Sequence, residues 1–171
     1  PLFKAIDHAI NLVGVGDSVR IVYPSPQGKT WDQSCAEKLS EHEKVIMICG
    51  HYKGIDERVI EKYVTDEYSL GDFIMTSGEI PAMVMLDSVI RLIPGTLNTL
   101  ESALTDSFTQ ELLDYPHYAK PRKIEGMNVP EVLIGGHHKK IEFWRQNQKE
   151  KKTEQRRPDL WEKYNKMKES E

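Results

Sequence analysis

The sequence predicts an α/β domain built on a mostly parallel sheet, followed by a small, basic helical domain. Three observations carry that expectation. From Pro1 to Gly95, short continuous apolar runs alternate with stretches of helical period, the pattern of a sheet covered on both faces. Each expected strand finishes in small or turn-forming residues, "PSPQG", "CGHYKG" and "TSGE", and in such sheets ligands bind beyond the carboxyl ends of the strands. After Gly95 the alternation gives way to a polar, proline-broken stretch and then to charged helices.

"PLFKAIDHAINLV" places apolar residues at 2, 3, 6, 9, 10 and 13, a helical period, and Gly14 and Gly16 end it. "SVRIVYPSPQG" reads as a buried strand from Val19 to Tyr23 that Pro24 and Pro26 break. "TWDQSCAEKLSE" is a modest helix, "KVIMICG" a second strand ending at Gly50, and "IDERVIEKYV" a helix. "FIMTSG" is read as the third strand, set between the glycine-bearing turns of "SLGDFIMTSGEIPAM". The next helix carries Pro81 in its first turn, where proline is tolerated, and closes at Pro94 and Gly95. A polar connection over 97–115 separates a domain of residues 1–96 from a C-terminal domain of 116–171, and connections that long are usually functional or disordered. Within the second domain "EVLIGG" is expected as a strand, and "HHKKIEFWRQNQKEKKTEQ" and "RRPDLWEKYNKMKE" as helices.

Composition narrows the class of protein. At 171 residues, with 39% hydrophobic and 29% charged, the chain is a globular sequence able to bury a core. No apolar run reaches the length of a membrane span. A lysine at position 4 argues against a secretory leader, and the chain opens on Pro1, so its natural N-terminus is expected to be missing, removed or not included. Cys35 and Cys49 make no disulfide framework, and two reduced thiols fit a cytoplasmic location. The net charge of −4 conceals an asymmetry. Lys139 to Arg157 holds eight basic residues against three acids. A basic segment on an acidic chain points to a polyanion, although a solvated helix face laced with ion pairs has the same composition.

Single motifs do not name a reaction. "GVGDSV" resembles a dinucleotide loop, but it lacks the third glycine and precedes a strand instead of following one. His137 and His138 have no further ligand at metal-binding spacing, so no metal is expected. Asp87 and Arg91 stand at i,i+4, by itself an ion-pair spacing. Asp106 in "TDSF" fits a turn or a helix cap.

Taken in order, "YPSPQG", "ICGHYKGIDERV", "SLGDFIMTSGEIPAM", "IRLIPG", "DSFTQELLDYPHYAKP" and "VPEVLIGGHHKKIEFWR" resemble the bacterial tRNA (guanine-N1)-methyltransferase family, the TrmD group of SPOUT methyltransferases. The likeness runs from Pro1 to about Leu160, and the series CGxYxGxDER followed by SxGDxxxTxGE is its most specific part. The resemblance implies a SPOUT-type parallel sheet with a deep trefoil knot, an exception to the usual connection rules. It implies S-adenosyl-L-methionine held in the knot, tRNA as substrate, and a homodimer with each active site at the subunit interface. The methyl acceptor is N1 of the guanosine just 3′ of the anticodon.

Carried onto this sequence, the resemblance puts the first cofactor loop at Tyr23, Pro24 and Ser25 and the second at Gly50, Tyr52 and Lys53. The third runs through Leu70, Gly71, Phe73, Met75, Ser77, Gly78 and Pro81. It makes Asp106 the catalytic base and Arg91 its partner. A carboxylate is a weak base for guanine N1–H, so a cation that stabilises charge growing on O6 would ease the transfer. Ser107 and Asp114 are implied to order the connection or hold tRNA, and Arg145, Arg156 and Arg157 to contact phosphates.

The sequence departs from the family at several points. The family carries a stretch before Pro1 with a first strand and a glycine-rich loop. Lys53 replaces a common Glu, Ser77 a usual Gly, Phe73 a common Tyr, and Leu104 and Thr105 the acids that often precede the base. Two alternatives follow: another knotted RNA methyltransferase, for example one acting on a ribose hydroxyl, or a truncated, non-catalytic RNA-binding dimer.

Overall fold

Helix α1 (Leu2–Val13) opens the chain and offers one apolar stripe to a parallel sheet. Its Ile6 is buried against Ile21, Tyr23, Ile48 and Val59, with Leu2, Phe3 and Ile10 packed beside them. In the computed structural model the described residues are 1–14, 19–51, 53–96 and 106–169; most of "GVGDSV" lies outside them, as do Leu104 and Thr105. The chain divides into two compact units, 1–100 and 101–171.

In the first unit, β1 (Val19–Thr30) is central. It pairs in parallel with β2 (Lys44–Met47) on one side and β3 (Asp66–Ser69) on the other, giving the order β2-β1-β3. Alternation along β1 assigns the two faces. Ile21 and Tyr23 join the cluster with α1 and with Val59 of α3 (Glu57–Tyr63). Val22, fully buried, faces Ala36 and Leu39 of α2 (Gln33–Ser40) and Val89 of α4 (Glu79–Ile90). The expectation of a mostly parallel sheet covered by helices therefore holds. Caps start two of the helices: Asp32 accepts the Cys35 N–H at 2.9 Å and Asp56 the Arg58 N–H at 3.0 Å. Trp31 ties the sheet to α4, its indole N–H donating to Ser88 at 3.0 Å while its ring meets Tyr68 edge-on at 4.8 Å.

Two expectations for this unit are corrected. The first strand does not stop at Pro24. Pairing with β3 passes Pro24, skips Ser25 to Gly28, and resumes at Lys29 and Thr30; a bulge at this point accommodates prolines that could not donate to a regular ladder. Gly28 is obligatory there, because a Cβ would stand 2.4 Å from the Tyr68 backbone nitrogen. The third strand is Asp66–Ser69, not the apolar run at Phe73–Met75. Phe73 and Ile74 are exposed, so that run is not core.

The second unit is helical, with a two-stranded hairpin, β4 (Lys123–Ile124) and β5 (Met127–Asn128), turned by Glu125 and Gly126, both at positive φ. "EVLI" forms a short helix, α5 (Glu131–Ile134), and not the expected strand. Pro130 precedes it, and its carbonyl accepts the Leu133 N–H, so the backbone bonds locally. The long helices α6 (His138–Arg156) and α7 (Pro158–Glu169) then pack together. Their contact buries Thr153, Leu160 and Tyr164, with Leu112 also buried in this unit. Thr153 has 0% exposure, accepts the Leu113 N–H at 2.8 Å and donates to the Lys149 carbonyl at 2.7 Å, which fastens 112–113 to α6.

Candidate active site

The carboxyl-terminal side of the sheet is where the first unit becomes concave. Beyond β1, β2 and β3 three segments of chain surround a cavity of about 360 Å³, within the range of small-molecule sites. The bulge of β1 contributes Tyr23, Pro24, Ser25 and Pro26, and the segment after β2 contributes Gly50, His51, Lys53 and Gly54. The segment from β3 into α4 runs through Leu70, Gly71, Phe73, Met75, Ser77, Gly78 and Pro81. Every cofactor-loop residue expected from the sequence and lying among the described residues thus lines one cavity. Tyr52 lies outside them.

Small residues let these segments meet. A Cβ on Gly50 would stand 3.2 Å from the Tyr23 ring, and one on Gly78 would stand 2.8 Å from the Gly50 nitrogen. The Gly78 N–H donates to the Gly50 carbonyl at 2.8 Å, and His51 and Ser77 form an antiparallel bridge beside that bond. His51 Nε2 and Glu79 Oε1 lie 2.7 Å apart. The Ser77 hydroxyl, the Glu79 backbone N–H and His51 hold the Glu79 carboxyl below its usual range. Neither Asp72 nor Glu79, the two acids of "SLGDFIMTSGEIPAM", lines the cavity, and Glu79 braces the segment.

Electrostatics leave the cavity wall neutral apart from one loop. Burial pushes the Tyr23 phenol up, against an opposing Ile55 N–H and with help from Glu67, so it stays protonated. Burial, Asp66 and Cys35 push Tyr68 up to about 12. Loss of hydration around the Cys49 sulfur, with the Glu79 charge adding to it, raises that thiol too, which disqualifies Cys49 as a ready nucleophile.

Of the remaining expected residues, Arg91 belongs to the first unit and the others to the second. Arg91 caps α4, its N–H reaching the Asp87 carbonyl at 3.3 Å. Asp106 opens the described part of the second unit, its carbonyl accepting from the Thr109 hydroxyl at 3.1 Å. Ser107 and Asp114 belong to one cluster: the Ser107 hydroxyl accepts the Asp114 N–H at 2.9 Å. The Asp114 carboxylate stands 2.7 Å from His117 and 3.6 Å from Lys149. Burial would raise this carboxyl, but His117, the Tyr115 N–H and Lys149 outweigh it and lower the pKa. The Arg145 guanidinium lies 4.8 Å over the Tyr115 ring and donates to Glu142 at 2.9 Å. Arg157 forks onto Asp159 at 2.9 and 2.6 Å, whereas Arg156, the last residue of α6, is exposed. His137 and His138 cap and begin α6, and no metal-binding cluster exists among the described residues.

The profile of the tRNA (Guanine-1)-methyltransferase TrmD family matches residues 1–163. The chain belongs to this family. Among its TrmD-type relatives, the tRNA (guanine-N(1)-)-methyltransferase of Clostridioides difficile (strain 630) is 47% identical over 165 residues, 96% of this chain and 71% of that protein. The enzyme of the same name from Alkaliphilus metalliredigens (strain QYMF) is 46% identical over 94% of this chain and 65% of its own. That of Listeria welshimeri is 48% identical over 96% and 66%. The chain thus spans about two thirds of the length of the curated relatives it matches.

Pro26, His51, Gly54, Tyr68, Ser69 and Ile74 also line the cavity, and sequence reasoning does not single them out. Pro26, His51 and Gly54 stand inside the motifs "YPSPQG" and "CGHYKG", which were the available signal. Tyr68 and Ser69 escape because they belong to β3, which the apolar pattern puts in the wrong segment.

Proposed function

We propose that this chain is the catalytic part of an S-adenosylmethionine-dependent tRNA (guanine-N1)-methyltransferase that modifies the guanosine just 3′ of the anticodon. One observation supports this above the others: the three motif segments of the TrmD match converge on a single cavity at the carboxyl end of the sheet. The cavity has the volume and the glycine-lined approach that a nucleoside cofactor requires. Apolar side chains such as Leu70 and Met75 would sandwich the adenine, and backbone groups around Gly71 and Gly78 would read its edge.

The cofactor supplies a methyl group already activated on a sulfonium. The protein's tasks are then positioning and proton removal. Asp106 would take the N1 proton of guanine and Arg91 would stabilise the negative charge arriving at O6, leaving N1 free to accept the methyl group that the bound cofactor would supply. Ser107 fixes Asp114 and with it the segment that follows Asp106. Arg145, Arg156 and Arg157 contribute phosphate contacts, with Arg156 the most available of them.

The knotted path comes into this reading with the family match. A homodimer is favoured by α4, which exposes Ile80, Met83, Val84 and Ile90 on one side while burying Ala82, Met85 and Val89 on the other. An exposed apolar stripe on a helix whose opposite face is already buried, interrupted here by Asp87, is a surface that a partner can cover. In the dimer, Asp106 and the second unit of one copy complete the tRNA site of the other. No described helix is long and apolar enough to cross a membrane, and a cytoplasmic place fits a tRNA substrate. Labelled S-adenosylmethionine tests the assignment with two tRNA transcripts that differ only in guanosine or adenosine 3′ of the anticodon. Transfer to the first alone is expected; equal transfer to both would overturn it.

A further inference from the structure

We propose that Lys53 binds the carboxylate of the cofactor's amino-acid tail and so makes that carboxylate a condition of tight binding; this rests on the cofactor assignment above. Among the described residues that line the cavity there is no Asp or Glu, and Lys53 is the one side chain with a permanent charge. The other polar side chains are committed within the protein. Ser25 accepts the Gln27 N–H at 3.1 Å, Ser69 bonds both backbone groups of Gly71, and Ser77 and His51 hold Glu79. The Tyr23 hydroxyl takes the Ile55 N–H, and that of Tyr68 points to Asp66 at 3.5 Å.

Lys53 makes no ion pair with another described residue and brings three donors. Its loop is fixed at its start by the Gly78–Gly50 hydrogen bond and the His51–Ser77 bridge, and at its end by the Tyr23–Ile55 contact. The backbone on either side of Lys53 is therefore held in place, and Lys53 itself lines the cavity. An entering carboxylate loses water and needs a charged donor; a sulfonium or ammonium group finds no carboxylate in this wall to compete for it.

Calorimetric titration of the full chain with S-adenosylmethionine and with its decarboxylated form, which differ only in the carboxylate, tests this. The wild-type chain is expected to prefer the carboxylated form by about fivefold or more, as one partly exposed ion pair allows. Lys53→Met should erase the preference while leaving the decarboxylated form bound as before, and Lys53→Glu should reverse it. Equal weakening of both ligands by Lys53→Met, or no change in either, would overturn the proposal. Binding of neither ligand by the wild-type chain would instead sink the cofactor assignment, and the proposal with it.

Discussion

The backbone N–H of Gly78 donates to the carbonyl of Gly50 at 2.8 Å, and a methyl group on Gly78 would stand 2.8 Å from the Gly50 nitrogen. The segment after β2 and the segment before α4 are thus joined where both line the cavity. Gly78→Ala should force that contact apart. We expect a loss of about 1–3 kcal/mol in stability, as overpacking costs, and at least a tenfold loss of S-adenosylmethionine affinity. Gly135→Ala is the control: its nearest atom would be 3.7 Å away and its φ is −76°, so a change within about 0.5 kcal/mol is expected. Thermal unfolding and calorimetry read both, and normal cofactor binding by the Gly78→Ala variant would contradict the assignment of this contact.

Asp106 is the proposed base. Asp106→Asn should slow single-turnover methyl transfer by about 10²-fold or more, the range of a general base, with cofactor affinity within a few-fold of the parent. Near-normal turnover would remove Asp106 from the chemistry. Arg91→Lys keeps the charge but not the planar fork, and partial activity is expected from it.

Acid should loosen the second unit through Asp114 and Glu150. Burial raises both, but hydrogen bonds and charges outweigh it: His117, the Tyr115 N–H and Lys149 at Asp114, and Gln146, Tyr164 and Lys168 at Glu150. Both carboxyls therefore titrate below their ordinary values. A depressed carboxyl adds stability above its unfolded pKa and loses it as pH falls through the folded one. Stability of this unit should hold at neutral pH and decline below about pH 4. Fluorescence of Trp144 and Trp161 should follow that decline, and Asp114→Asn should weaken its pH dependence. An unaltered acid profile in that variant would show that the Asp114 cluster carries none of it.

The tail arginines differ in availability. Arg157 is held by Asp159, which it keeps down at about 2, whereas Arg156 is exposed. Arg156→Ala should weaken tRNA binding and lower the slope of log affinity against log salt by about one phosphate contact. An unchanged slope would count against a phosphate contact at Arg156.

The first two strands of the parallel sheet were legible because apolar residues dominate them: Val19, Ile21, Val22 and Tyr23 in β1, and Val45, Ile46 and Met47 in β2, lie where the sequence pattern puts them. β3 was not legible. Its residues are Asp66, Glu67, Tyr68 and Ser69, so its composition gives no buried signal, whereas β2, at the other edge, carries Val45, Ile46 and Met47. The apolar run that reads as the strand, Phe73 to Met75, lines a cavity instead. Local pattern does not distinguish a side chain that faces a core from one that faces a ligand. Pro24 and Pro26 mislead for a related reason, since they end a regular ladder but not a bulged one. The convergence of "YPSPQG", "CGHYKG" and "SLGDFIMTSGE" is anticipated through family resemblance; periodicity supplies only the separate strand ends.

The central claim is tested most directly by incubating the chain with methyl-labelled S-adenosylmethionine and unmodified tRNA, then digesting the RNA and identifying the labelled nucleoside and its position. We predict 1-methylguanosine immediately 3′ of the anticodon. Label on a ribose hydroxyl, on another base or at another position, or cofactor binding with no label on tRNA, would contradict the account.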